Sequence, residues 1–224
     1  MYVFDAYGTL LDVDAAAREA SAEPGMEALK EQWLLISKGW RERQLRYSWL
    51  CSMMGRYDDF WELTTRALDA TLEECGLAPN KEIRDRLLSL YGELSAFDEV
   101  PGVLSNLKAS GLKLAVLSNA SPNMLETATK AAGIYHYFDA LLSVDTLKCY
   151  KPTPSVYKLV TEHFDCNPTD VTFFSSNNWD ISGAGAFGFK TIWVNRAGAA
   201  WDKLPGFPDK IVTTIAEGTK SQTN

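Results

Sequence analysis

The stretch YVFDAYGTLLDVD, residues 2–14, begins with an apolar run, Tyr2-Val3-Phe4, that ends on a carboxylate, Asp5. Tyr7, Gly8 and Thr9 follow at once. A short apolar run bounded by a glycine turn reads as a strand buried on both faces, as in a parallel sheet. Four further runs are of the same kind: LKLAVLSN (112–119), DALLSV (139–144), VTFFSS (171–176) and KTIWVN (190–195). Helical patterns alternate with them. Pro101 to Ser110 is closed by Gly111, and Pro122 to Ala132 is opened by Ser121 and closed by Gly133. Residues 154–164 and 178–187 complete the set. The alternation predicts an α/β fold, a doubly wound parallel sheet with helices on both faces.

Residues 13–95 interrupt this pattern. They hold no strand-like run and read as helices at 13–21, 27–54, 58–76 and 80–94. Breaks fall at Glu23-Pro24-Gly25, at Gly55 and at Gly76-Leu77-Ala78-Pro79. The expectation is a core of residues 1–12 and 96–224, with 13–95 inserted after the first strand as a helical cap over the sheet's carboxyl edge. The polar tail from Gly218 to Asn224 reads as a frayed end.

The totals exclude several classes of function. A net charge of −7 disfavours nucleic acid and anionic membranes as partners, and any anionic substrate needs local cations. The four cysteines are scattered, without a CxxC pair or a Cys/His cluster, which reads as free thiols in a reducing compartment. There is no leader pattern and no apolar run near the ~18 residues of a membrane span, so a cytoplasmic protein is expected.

Ligands of open α/β sheets bind beyond the carboxyl ends of the strands. Those ends carry Asp5, Ser118-Asn119 and Ser175-Ser176-Asn177, and Lys151 closes the loop after the third run. Four polar strand ends together make a site. Other motifs do not. Gly183-Ala-Gly185-Ala-Phe-Gly188 matches GxGxxG but lies too far past its strand for a dinucleotide turn, so it reads as tight helix packing. The two histidines, His136 and His163, stand away from the strand ends and make a histidine-based triad unsuitable.

FDAYGTL, LSN, YKP and SSNNWD, in this order, resemble the haloacid dehalogenase superfamily over nearly the whole chain. WRERQLRYSWL (40–50) and MGRYDDFW (54–61) narrow the resemblance to the L-2-haloacid dehalogenases. It implies a Rossmann-like core with a cap. Superfamily phosphatases resemble DxDGT, whose second acid protonates the leaving alcohol, and GDSxxD, whose first Asp holds magnesium. Here those positions are Tyr7 and Ser176. Losing both fits a reaction that needs neither, namely displacement of halide, which leaves without a proton. The nucleophile would be Asp5, through an aspartyl ester that water then hydrolyses. Short (S)-2-haloacids would give (R)-2-hydroxyacids, with no metal and no cofactor.

A substrate carboxylate ~4 Å from Asp5 repels it by about 4 kcal/mol at an effective dielectric of 20, so the cations matter. By resemblance, Lys151 orients Asp5 and keeps it ionised, and Arg41 receives the halide beside Asn119. Arg41, Leu45 and Trp49 recur at i, i+4 and i+8, an apolar helix face with one guanidinium; Arg43 and Arg46 read as surface cations. Ser118 and the backbone N–H groups near Ala6 and Tyr7 would hold the substrate carboxylate. By the same resemblance Thr9 would support the nucleophile, Tyr157 would reach back toward the site, and Ser175, Asn177 and Asp180 would set the water and Lys151, with Asp180 as the candidate base. Tyr7, Leu45, Phe60 and Trp179 would wall the alkyl side. Strand-end capping is the plainer role for Ser118, Ser175 and Thr9, and the two roles are compatible.

The chain departs from the family pattern where Glu42 replaces the usual glutamine after Arg41, across residues 21–39, and in having Asp5 only four residues from the start. The partners implied are a small 2-halocarboxylate, halide ion and a second copy as homodimer, with Trp33 and Trp61 serving an interface or the core. A magnesium-dependent phosphatase of small metabolites is the second reading, and a non-catalytic binding protein the third.

Overall fold

The computed structural model describes residues 1–78 and 80–219; Pro79 and the tail residues 220–224 lie outside the described residues. Six strands form one sheet: β1 (Tyr2–Phe4), β2 (Leu114–Ser118), β3 (Ala140–Ser143), β4 (Thr172–Ser175), β5 (Lys190–Val194) and β6 (Lys210–Val212). Their order is β3-β2-β1-β4-β5-β6, and every pairing is parallel. The order reverses between β1 and β4. That switch point is where an open α/β sheet leaves a crevice for a ligand.

β1 is three residues long but central. Tyr2, Val3 and Phe4 stand in register with Leu114, Ala115 and Val116 on one side and with Thr172, Phe173 and Phe174 on the other. The Asp5 amide extends this pairing by donating to Phe174 O at 2.8 Å. Phe4 stacks on Phe174 with ring centroids 4.9 Å apart. Because β1 is bonded along both edges, Asp5 is fixed at the carboxyl edge despite the brevity of its strand.

The flanking helices are α5 (Val100–Ala109), α6 (Pro122–Ala131), α7 (Pro154–Phe164), α8 (Asn178–Phe187) and α9 (Ile215–Thr219), with α5 packed on α9 and α7 on α8. Between β1 and α5 come α1 (Ala15–Ala20), α2 (Trp33–Met53), α3 (Phe60–Glu74) and α4 (Lys81–Gly92). These four pack on one another, α2 against α3 and α1 against α4. The chain leaves and re-enters the sheet region through adjacent segments: Leu11 forms an antiparallel bridge with Ala96. A second junction forms at Tyr150, whose amide donates to Ser52 Oγ at 3.0 Å and whose hydroxyl donates to Asp58 O at 2.5 Å.

Two expectations need correction. The helix expected over 27–54 is broken: residues 27–29 form a tight turn that buries Leu29, and α2 begins only at Trp33. That turn is closed by i→i+3 bonds, Lys30 N to Glu27 O and Gln32 N to Leu29 O, which do not continue into an α ladder. The tail does not begin at Gly218, which is buried in α9; a Cβ there would lie 2.6 Å from the Phe174 ring. The most buried row of α2 is Ile36, Trp40, Gln44, Ser48 and Cys51, which turns polar groups inward, and Arg41, Leu45 and Trp49 beside it are half buried. β6 was not expected; it is three residues long and its Ile211 is half exposed.

Candidate active site

Asp5 sits at the switch point with 6 % of its surface exposed. Gly8 makes the turn beyond it, at φ +87°, and a Cβ there would come within 3.1 Å of Ser176 Oγ. Glycine takes that conformation without strain. The turn brings Thr9 back over the strand end. Thr9 Oγ1 donates to Asp5 Oδ2 at 3.0 Å and accepts from the Ser176 amide at 2.8 Å. Asn177 Nδ2 donates to the same oxygen at 2.9 Å and Ser175 Oγ at 3.4 Å. Ser175 Oγ also accepts from the Asn177 amide at 3.1 Å, so Thr9 and Ser175 each cap the backbone and serve the carboxylate at once.

The other oxygen, Asp5 Oδ1, accepts from Lys151 Nζ at 3.2 Å. The same ammonium donates to Asp180 Oδ2 at 2.8 Å, and Tyr157 OH donates to Asp180 Oδ1 at 2.8 Å. Lys151, Asp180 and Tyr157 are all shut off from solvent. Burial alone would pull the Lys151 ammonium down, but Asp180 and Asp5 together hold its pKa above the ordinary 10.5. Burial raises the Asp180 carboxyl above its ordinary 3.8, the Asp5 charge adds to that, and Lys151 opposes it. Burial, then the Asp180 charge, keeps the Tyr157 phenol protonated. Two carboxylates share one ammonium, which leaves one negative charge in excess at Asp5 and Asp180. Among the described residues no group of three or more His, Cys, Asp or Glu side chains is arranged to hold a metal ion.

Gly183, from the GxGxxG match, explains part of this geometry. A Cβ there would lie 2.5 Å from Tyr157 OH and 2.6 Å from Pro152 Cβ. The glycine lets α8 press against Tyr157 and the loop that carries Lys151, so the motif is a packing device that supports the site.

Strand β2 ends on Ser118, whose Oγ accepts from the Ala120 amide at 3.1 Å, and Asn119 Oδ1 accepts from the Lys151 amide at 2.9 Å. Asn119 therefore fixes the Lys151 backbone. From α2, Arg41 Nη2 reaches across to Tyr7 O at 3.2 Å and Nη1 donates to Gln44 Oε1 at 2.8 Å. Both acceptors are neutral, so the guanidinium charge is not spent on a carboxylate in these bonds. Tyr7 is buried and stacks on Tyr91, with centroids 5.6 Å apart. Its phenol is raised above the ordinary 10, chiefly by burial and then by Tyr91, with Arg41 opposing. Trp179 is half buried, edge-on to Trp49 at 5.4 Å, and Leu45 is half buried on α2. Phe60 is buried against Tyr150, at 5.6 Å, and so touches the residue next to Lys151.

Two clefts flank the site. One of about 600 Å³ is lined by Gly8, Arg41, Glu42, Ser176, Asn177 and Trp179 among others. The second, about 550 Å³, includes Tyr7, Asp59, Trp61, Glu62, Tyr91 and Ser121. Sequence reasoning missed Gln44 and Tyr91. Gln44 Nε2 donates to Thr64 Oγ1 at 2.7 Å and to Tyr91 OH at 3.0 Å while its Oε1 holds Arg41. The available signal was the Trp40–Gln44–Ser48 spacing, one inward row of a helix.

No helix among the described residues is long and apolar enough to cross a membrane. The family model for haloacid dehalogenase-like hydrolases matches residues 1–188. (S)-2-haloacid dehalogenase 1 of Pseudomonas sp. (strain CBS-3) is 48% identical over 87% of this chain and 83% of its own length. (S)-2-haloacid dehalogenase 4A of Burkholderia cepacia is 45% identical over 88% of this chain and 83% of its own. Among solved structures, L-2-haloacid dehalogenase from Xanthobacter autotrophicus with chloropropionic acid covalently bound superposes with a TM-score of 0.84 at 34% identity, covering 96% and 95% of the two chains.

Proposed function

The chain belongs to the haloacid dehalogenase-like hydrolases, and on that premise we propose that it is an (S)-2-haloacid dehalogenase that attacks carbon with Asp5. The observation that carries the reading is the unequal solvation of the two Asp5 oxygens. Oδ2 accepts from Thr9, Asn177 and Ser175, whereas Oδ1 accepts from Lys151. Oδ1 keeps a lone pair for in-line attack at C2, which displaces halide with inversion and forms an ester. Oδ2 then becomes the ester carbonyl oxygen. The donors on it are already aimed where negative charge develops when water adds to the Asp5 carbonyl carbon, and such preorganised donors are worth ~2.7–4 kcal/mol apiece in related chemistry.

Asp180 is the base for that water, its raised carboxyl kept close by Lys151 and Tyr157. Arg41 and Asn119 receive the halide. Ser118 and the amides of Ala6 and Tyr7 hold the substrate carboxylate; Tyr7, Leu45, Phe60 and Trp179 exclude water from the alkyl side. Residues 13–95 act as a cap closing over the core of 1–12 and 96–224. The same resemblance supports a cytoplasmic homodimer. The phosphatase reading is set aside because the leaving-group acid is replaced by Tyr7, whose phenol burial makes a poorer proton donor. The position that holds magnesium in those phosphatases is Ser176, a neutral hydroxyl.

Single turnover in oxygen-18 water tests the mechanism. The first-turnover 2-hydroxyacid should carry unlabelled oxygen, taken from Asp5, while the label enters Asp5. Solvent label in that first product would overturn the ester route. Chloride release from (S)-2-chloropropionate, unchanged by EDTA, tests the substrate and metal readings together.

A further inference from the structure

The two segments that join the helices α1–α4 to the sheet run side by side. Asp12 N donates to Ser95 O at 2.9 Å and Phe97 N to Leu10 O at 3.0 Å. Arg196, two residues past β5, closes on this pair. Its Nη2 donates to Thr9 O at 2.8 Å and to Glu99 Oε1 at 2.7 Å. Its guanidinium carbon lies 3.7 Å from the centre of the Phe97 ring. One side chain thus holds the outgoing segment at Thr9 and the returning segment at Phe97 and Glu99. The Arg196 side chain is 16% exposed. Its Nε is buried without a hydrogen-bond partner among the described residues.

We infer that Arg196 is a positioning residue for the nucleophile, acting through Thr9; this rests on Asp5 being the nucleophile proposed above. Thr9 is pinned at two points. Its carbonyl is held by Arg196, and its hydroxyl lies between the Ser176 amide and Asp5 Oδ2. Gly8, immediately before it, has the backbone freedom to let the turn drift. The Arg196 bond removes that freedom and keeps the Thr9 hydroxyl on Oδ2, which leaves Oδ1 to attack. A planar guanidinium stacks on Phe97 while one nitrogen serves two acceptors; a lysine supplies the charge without the planar fork. The arrangement also ties the nucleophile's turn to the place where the helical region joins the sheet, so the placement of Asp5 and the seating of those helices share one anchor.

Arg196→Gly and Arg196→Lys test this by single-turnover ester formation at saturating substrate, with KM and the thermal midpoint measured alongside. Arg196→Gly should form the ester about 10- to 100-fold more slowly, with KM within about threefold, because small misplacements of reacting groups cost rates of this order. Millimolar guanidinium should restore part of that rate. Arg196→Lys should fold with a midpoint close to wild type and still form the ester at least about fivefold more slowly. A wild-type rate in Arg196→Lys, or no rescue of Arg196→Gly by guanidinium, overturns the inference. If the wild type forms no ester on Asp5, the reading of the nucleophile fails instead, independently of Arg196.

Discussion

Lys151 is held closer to Asp180 than to Asp5: its ammonium lies 2.8 Å from the one carboxylate and 3.2 Å from the other. The pair is out of contact with water, with side-chain exposures of 1% and 0%. A buried ammonium between two carboxylates is a charge balance before it is a catalytic group. Lys151→Met should therefore abolish ester formation and also cost about 3–5 kcal/mol of stability, because it leaves buried carboxylates without a counter-charge. Urea unfolding near neutral pH measures the loss; an unchanged midpoint would contradict the balance.

The same pair sets an alkaline limit. The folded pKa of Lys151 is raised above its ordinary 10.5. Its contribution to stability is thus fully present below that value and is lost as pH rises through the raised one. Wild-type stability should fall there, and Lys151→Met should lack this component. Stability curves of the two proteins that run parallel through the alkaline range would count against it.

Asp180 predicts an acid limb. Its carboxyl is raised above the ordinary 3.8, and only the ionised form accepts a proton from water. Hydrolysis of the ester should weaken as pH falls through a value above 3.8, a higher pH than an unperturbed aspartate would give. Asp180→Asn should trap the ester, visible by intact-protein mass spectrometry, with turnover reduced at least about 100-fold. A normal steady state in that variant would remove Asp180 from the base role.

Gly183 and Gly185 are two positions apart on α8 but should respond differently to alanine. At Gly183 the new methyl meets Tyr157 OH at 2.5 Å, whereas at Gly185 the nearest atom is Thr191 Cγ2 at 3.7 Å. Gly183→Ala should cost about 1–3 kcal/mol through overpacking and lower turnover by displacing Tyr157 from Asp180. Gly185→Ala should be neutral or stabilising by up to about 1 kcal/mol, as expected in an exposed helix interior. Thermal midpoints and turnover of both variants check the contrast.

Gln44 links Arg41 to Tyr91 and Thr64 inside the helical region. Gln44→Leu strips one partner from each of these groups, at about 1–3 kcal/mol, and leaves the guanidinium held only at Tyr7 O among these bonds. The expected result is a lower thermal midpoint together with weaker inhibition by product halide. Halide inhibition equal to that of the wild type would separate Gln44 from the placement of Arg41.

The residues around Asp5 were legible because strands announce themselves as apolar runs, and the residue that ends a central strand lies where ligands bind. Asp5, Ser175, Asn177 and Lys151 could be read from strand ends alone. Thr9, Tyr157 and Asp180 needed the family resemblance, since nothing in local spacing says that a turn or helix residue folds back to a strand end. Gln44 and Tyr91 were hidden for a different reason. Their pairing spans 47 positions of chain, and a buried amide among aromatics looks like any helical glutamine. Leu29 shows the converse limit: its burial in a tight turn ended a helix whose sequence gave no stop signal. The clamp at Arg196 joins positions 187 apart, beyond any pattern of neighbours.

Tyr150 points one way and Lys151 the other across a single peptide bond. The first is fastened to Ser52 and Asp58 of the helical region, and the second supplies the ammonium beneath Asp5. Whatever lifts those helices therefore pulls on the backbone of the counter-charge itself. On the proposed closure of residues 13–95 over the core, an open molecule would slacken the support of Asp5, confining attack to the moments when bulk water has been shut out.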